Sequence, residues 1–280
     1  MAEVPFRVVT WNCHTATAAS PLWEYLEHLD PDVALLQEVM GVPESIHERF
    51  ACYSVHARGR FDSVMKFKTA MLVKGCIGPA LPISSNVGWI REELAYWFGN
   101  LTAMEVFPDQ GPPVKVVSVY SPAYAIDEHL ARRPDADTGD VRLQQALRFW
   151  VADLLRASFE ETPPDPKDAW IVAGDFNLSE TFDGKRRPRG NREYLDRMAS
   201  VGFVECLRQA QGKVTPTFRH ATGYIHHQMD HLFVTPALGK HLRACGTGPQ
   251  EEVFGPPRLS DHLPIIADFA WEADTPNSPV

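Results

Sequence analysis

Five polar signals in this chain stand where apolar runs end, and their residue types could together hold a water, a cation and an anionic oxygen and move a proton. The first to notice is Trp170-Ile-Val-Ala-Gly-Asp-Phe-Asn177, an apolar run that stops at Gly174 and then presents a carboxylate and an amide two positions apart. In an extended chain a two-residue step returns to the same face, so Asp175 and Asn177 are expected to point together and to hold a water and an anionic oxygen. Asp, Asn and Gly also make ordinary turns after strands, so the motif alone is modest.

Leu35-Leu36-Gln37-Glu38 runs an apolar stretch straight into a carboxylate, and Thr10-Trp11-Asn12 ends another. A charge at the end of a buried strand is costly unless a cation meets it. Glu38 is therefore the leading ligand for a hard, oxygen-seeking ion such as Mg2+, with Asn12 beside it. The bland alternative is a strand cap paired with a nearby Arg or Lys. Tyr120, before the Ser121-Pro122 bend, offers a phenol to a phosphate oxygen or is a half-buried aromatic with its hydroxyl in water. Gln228-Met-Asp230 opens a further apolar run, and Ser260-Asp261-His262 stands before the last one. His262 is the natural proton handler, with Asp230 the candidate carboxylate on its other ring nitrogen. Polar groups delivered to one cleft by several strand ends account for this set better than coincidence does.

The elements that must position these residues read as short strands: Phe6 to Trp11, Asp32 to Val39, Thr69 to Val73, Val114 to Tyr120, Trp170 to Ala173, Met229 to Val234 and Leu263 to Phe269. Most are near-continuous in apolar residues, as strands covered on both faces require. Helices are expected after a Ser20 N-cap and Pro21, from about Asp140 through the stripe Leu147, Trp150, Val151, Leu154 and Leu155, and from Asn191 to Ser200. Loops are expected at 121–139 and 160–168, and a frayed tail from Asp274.

With 280 residues, 44% hydrophobic and 22% charged, the chain is long enough for one large core, and no linker divides it. The expected domain is 1–272, followed by a tail at 273–280. A formal net charge of -9 opposes broad attraction to nucleic acid, so a metal or a local patch must steer a polyanion. The local patch is Asp183 to Glu193, five cations against two anions, in which Arg186, Arg187 and Arg189 are candidates to track phosphates; a solvated loop is the equal alternative. Five scattered cysteines without a C-x-x-C pair argue against a disulfide framework and a zinc site. No signal peptide and no run of 18 apolar residues is seen, so a cytoplasmic protein without membrane insertion is expected, and no obligate protein partner is inferable.

In their order and separation, Trp11-Asn12, Gln37-Glu38, Tyr120, Gly174-Asp-Phe-Asn177, Met229-Asp230 and Ser260-Asp-His262 resemble the endonuclease/exonuclease/phosphatase superfamily of deoxyribonuclease I-like and exonuclease III-like phosphodiesterases. The resemblance spans nearly the entire chain. It implies an α+β fold, a four-layer α/β/β/α sandwich of two mixed β-sheets face to face with helices outside and the cleft at one end. It implies Glu38 as main metal carboxylate, Asn12 its neighbour and Asp261 a further acid near the ion, which is Mg2+ with Mn2+ as the alternative. It further implies Asp175 as the group that orients or deprotonates water, Asn177 and Tyr120 as phosphate holders, and Asp230 and His262 as an Asp-His pair, the histidine being either general base or protonated clamp. Two departures weaken an abasic-site repair reading: Ala123 where exonuclease III-like members have an asparagine after the tyrosine, and His14 where they have an aspartate. The expectation is a metal-dependent phosphodiesterase, a nuclease on DNA or RNA. The alternatives are a phosphatase or phosphodiesterase of small phosphoesters (an inositol phosphate, a nucleotide or a phospholipid head group) and a noncatalytic binding module.

Overall fold

The computed structural model describes residues 3–133, 135–136, 149–184 and 190–272. In chain order its strands are β1 (Glu3–Ala16), β2 (Val33–Val39), β3 (Ala51–Arg58), β4 (Val64–Val73), β5 (Gly75–Ala80), β6 (Leu101–Pro108) and β7 (Val114–Tyr120). They continue as β8 (Trp170–Asp175), β9 (Val204–Glu205), β10 (Phe218–Arg219), β11 (Ile225–His227), β12 (Asp230–Val234), β13 (Leu242–Thr247) and β14 (Ile265–Glu272). The helices the site depends on are α1 (Leu22–Leu29), α2 (Glu44–Arg49), α3 (Gly88–Tyr96), α4 (Asp127–Leu130), α5 (Val151–Glu161) and α6 (Asn191–Ser200).

Two six-stranded sheets form, ordered β13-β14-β1-β2-β4-β3 and β5-β6-β7-β8-β12-β9, with β10-β11 a separate hairpin. Each is mixed: β1 with β2 and β7 with β8 are parallel, and the other pairs are antiparallel. The continuous apolar runs divide by the two-residue period of a strand. Val8, Leu35, Val116, Ile171, Leu232 and Ala267 fill the space between the sheets. Their sequence neighbours turn outward: Val9, Leu36 and Ile266 lie against Leu22, Leu26 and Leu29 of α1, while Val117, Val172 and Phe233 lie against Leu154 and Leu155 of α5 and Met198 of α6. The result is the expected four-layer sandwich with helices outside.

The same parity builds the cleft. Following the inward positions along each strand, Val8 gives way to Thr10 and Asn12, Leu35 to Gln37, Val116 to Ser118 and Tyr120, and Ile171 and Ala173 to Asp175, while β12 begins its inward series at Asp230. Thr10, Gln37 and Ser118, linked through the Gln37 side-chain amide, floor the polar end of an otherwise apolar interior.

Several expected boundaries shift. β4 begins at Val64, β12 at Asp230 and β14 at Ile265, and α5 runs to Glu161, so the following loop starts at Thr162. The short α4 lies within the stretch expected to be loop. Ser20 does not cap α1: its hydroxyl accepts the Thr17 N–H instead, and Pro21 occupies the cap position. The stretch expected to be helical from Asp140 to Arg148 and the tail at 273–280 lie outside the described residues.

Candidate active site

Register sets three of the candidate side chains in one row. Tyr120 of β7 and Asp230 of β12 are both direct partners of Asp175 of β8, one across a parallel ladder and one across an antiparallel ladder. β7 and β8 approach closely because Gly174 has no side chain: with φ +151, a Cβ there would sit 1.9 Å from the Val119 carbonyl oxygen. The chain leaves β8 through Asn177, whose φ of 48 is left-handed. Asn tolerates that conformation when its neighbourhood supplies local hydrogen bonds.

Asp175 is the hub. Its Oδ2 accepts from Asn12 Nδ2 at 3.0 Å and Asn177 Nδ2 at 2.9 Å, and its Oδ1 accepts the Asn177 backbone N–H at 2.8 Å. Asn177 and Asp175 thus do point together, but through each other; the Asn177 amide also donates to the Ser121 carbonyl at 2.8 Å. Asn12 ties this row of the second sheet to the end of β1 in the first.

Asp230 Oδ2 lies 2.8 Å from His262 Nδ1, and both side chains are buried. Three hydroxyl-bearing residues to which the sequence assigned no role hold the pair and the hub in place. Thr217 Oγ1 accepts the backbone N–H groups of Met229 and Asp230. Ser260 Oγ donates to the Asn12 carbonyl at 2.6 Å and accepts the His262 N–H at 3.1 Å. The Ser121 carbonyl receives the Asn177 amide, as above. Ser260 stood in the Ser-Asp-His signal, whereas Thr217 had none. Trp11 Nε1 donates to the His262 carbonyl at 2.8 Å, a second tie between β1 and the loop before β14.

These distances dictate the charges. Burial disfavours the His262 imidazolium, yet the adjacent Asp230 carboxylate, with Asp175 and Asp261 behind it, outweighs burial and holds its pKa well above the ordinary value. That environment favours the protonated imidazolium, a hydrogen-bond donor. Burial raises the Asp175 pKa, His262 opposes the rise and Asp230 adds to it. Tyr120 is raised as well, by burial and then by the nearby Glu38 and Asp175 carboxylates, so its phenol stays protonated.

Glu38 ends β2 with φ 56, a left-handed residue that turns its partly buried side chain toward Tyr120. Among the described residues no Arg or Lys pairs with it. Asp261 is engaged by His14 at 3.1 Å and, more distantly, by Arg258 at 3.9 Å. Asp175, Asp230 and His262 have ligand atoms within 4.8 Å of one another, a spacing that also suits a metal ion. Glu38, a carboxylate without a cationic partner among the described residues, could also hold a divalent ion. Arg186, Arg187 and Arg189 lie outside the described residues.

The chain matches the model of the Endonuclease/Exonuclease/phosphatase family over residues 9–262. No curated protein matches it. Among solved structures it resembles a 3' phosphatase from Neisseria bound to product DNA hairpin, at 17% identity and TM-score 0.63, covering 95% of this chain and 100% of that one. An AP endonuclease from Archaeoglobus fulgidus aligns at 17% identity and TM-score 0.62, over 94% of this chain and 99% of that one. The APE2 catalytic domain of Xenopus laevis aligns at 20% identity and TM-score 0.61, over 96% and 94%. Likeness at these identities concerns the fold, whereas the family match spans every signal from Asn12 to His262: the chain belongs to the Endonuclease/Exonuclease/phosphatase family, whose enzymes hydrolyse phosphoester bonds.

Proposed function

We propose that this protein is a divalent-metal-dependent phosphodiesterase acting on nucleic acid. The observation that carries the proposal is Asp175, a buried carboxylate pinned by Asn12 and Asn177 and set in register with Tyr120 and Asp230, the latter holding His262. Its geometry suits a fixed acceptor for the proton of an attacking water. Tyr120 contributes a phenol that remains a donor, and His262, with Nδ1 on Asp230, has its other nitrogen left as a donor for a phosphoryl or leaving oxygen. That supports the clamp over the general base among the two roles open for the histidine. Glu38 is assigned to the ion, with Asn12 on the neighbouring strand; Mg2+ fits an oxygen-donor site of this kind and contributes positive charge opposite the phosphoryl oxygens. Asp261, held by His14, is assigned a supporting position at the same end.

The substrate assignment rests on the family and on two of the similar proteins, the Neisseria 3' phosphatase bound to a DNA hairpin and the Archaeoglobus AP endonuclease. No described helix is long and apolar enough to cross a membrane. The decisive experiment is a panel of single-stranded DNA, duplex DNA, RNA, nucleotides and phospholipids with Mg2+ or with chelator, run beside Glu38→Ala, Asp175→Ala and His262→Ala. Hydrolysis of nucleic acid that needs metal and falls roughly 100-fold or more in each variant, with unchanged circular dichroism, is expected. Wild-type rates in Asp175→Ala refute the site, and turnover of small phosphoesters alone refutes the substrate.

A further inference from the structure

The β3–β4 hairpin reaches past the first sheet at the cleft end, since Lys68 of β4 pairs with Val39 at the end of β2. Its tip carries Phe61 and Asp62, both with left-handed φ, 61 and 62. For a bulky residue that conformation is strained, and burial does not repay it, because Phe61 is 41% exposed. The tip is nevertheless held: Tyr96 donates to the Gly59 carbonyl at 2.6 Å, Ser63 to the Arg60 carbonyl at 2.7 Å, and the Phe61 N–H to His129 Nδ1 at 3.2 Å. The Arg132 guanidinium lies 4.0 Å over the Phe61 ring, and Arg60 lies 4.6 Å over Tyr124. Among the described residues Arg132 has no carboxylate partner, in a chain of net charge -9. The hairpin also touches the site, because Phe67 of β4 packs edge-on to Tyr120 with centroids 5.1 Å apart.

From this juxtaposition we infer that the Phe61–Arg132 tip is a stacking platform for an unpaired base, so that the substrate class is nucleic acid with a single-stranded stretch beside the scissile phosphate. The inference rests on the phosphodiesterase reading above. A nucleobase offers a π-face to either the ring or the guanidinium plane, and its flanking phosphates meet the Arg132 positive charge. A paired base hides that face inside its stack, so a duplex gains little from the tip.

The test is fluorescence anisotropy of the full chain with Mg2+ and hydrolysis-resistant phosphorothioate oligonucleotides, single-stranded and duplex, for wild type, Phe61→Ala, Phe61→Trp and Arg132→Ala. Phe61→Ala is expected to weaken single-strand binding about tenfold, Phe61→Trp to preserve it, and duplex binding to change less than about twofold. Hydrolysis of bis(p-nitrophenyl) phosphate, too small to reach the tip, is expected to be unchanged in Phe61→Ala. Single-strand binding by Phe61→Ala within about twofold of wild type, or none by wild type, overturns the platform. So does Phe61-dependent binding only to phosphatidylcholine–phosphatidylserine vesicles, which marks the tip as a lipid contact. Phe61-dependent single-strand binding without any metal-dependent hydrolysis leaves the platform standing and overturns the phosphodiesterase reading instead.

Discussion

Replacing Gly174 by alanine is the most direct probe of how the fold builds the cleft. The new Cβ runs into the Val119 backbone, 1.9 Å from its oxygen, 2.7 Å from its carbon and 2.8 Å from its nitrogen, so no side-chain rotation relieves it. Ordinary contact begins near 3.4 Å, so β7 must retreat by about 1.5 Å, the difference between 1.9 and 3.4 Å. Overpacking costs about 1–3 kcal/mol and a disallowed φ about as much again, which together lower the melting temperature by about 10 °C in a chain of this size. β7 carries Tyr120 directly opposite Asp175, and the Ser121 N–H bonds the Asp175 carbonyl at 2.8 Å, so the retreat separates two groups of the site. Misplacement on that scale is expected to lower turnover about 100-fold. Gly202→Ala is the control: its φ of +101 is equally unfavourable, but nothing lies within 4 Å of the added methyl. Calorimetry and steady-state assays of both variants separate crowding from backbone strain. If Gly174→Ala melts with the Gly202→Ala control and retains its activity, the close approach of β7 and β8 is not what positions Tyr120 and Asp175.

Two further outcomes follow from buried polar pairs. Burial alone would raise the Glu93 pKa, but hydrogen bonds from His129 and Arg133 outweigh it and lower the pKa below the ordinary 4.5, so the stabilisation is present above that value and is lost as pH falls through the depressed one. Glu93→Gln is expected to lose about 3 kcal/mol near pH 7, with the gap from wild type closing in acid; urea melts that show a constant gap contradict the assignment. Ser260→Ala strands the Asn12 carbonyl and the His262 N–H in a buried setting, for a loss of about 2 kcal/mol. A lowered melting temperature with kcat reduced and KM little changed marks Ser260 as a positioning residue, and a shift in KM alone excludes that role.

Strands covered on both faces were legible because their apolar runs are continuous: β1, β2, β7, β8, β12 and β14 all appeared at the expected places. The strands left unread share a different chemistry. β3 and β13 are sheet edges with exposed alternate positions, β5 is an edge carrying Gly75, Gly78 and Pro79, and Thr102 and Glu105 interrupt β6. At the site, Asn12, Tyr120, Asp175, Asn177, Asp230 and His262 could be picked out because carboxylates, amides and imidazole are rare at apolar strand ends. Ser121 and Thr217 could not, since a lone hydroxyl or carbonyl has no sequence signature and acquires its role only through partners distant in the chain. Nor does sequence show that Glu38 lacks a cationic neighbour among the described residues, which depends on what the fold brings to the end of β2.

The division of labour between the sheets has a kinetic corollary. Asn12, Glu38 and His262 belong to one sheet and its loops, and Tyr120, Asp175 and Asp230 to the other, with the Asn12–Asp175 and His262–Asp230 contacts crossing the gap. Neither half carries the whole candidate site, so on the proposed function regain of activity during refolding waits for the halves to dock, however early each acquires its own ladder. Enzyme assays taken along a refolding time course therefore clock that final closure, while far-ultraviolet circular dichroism clocks the strands.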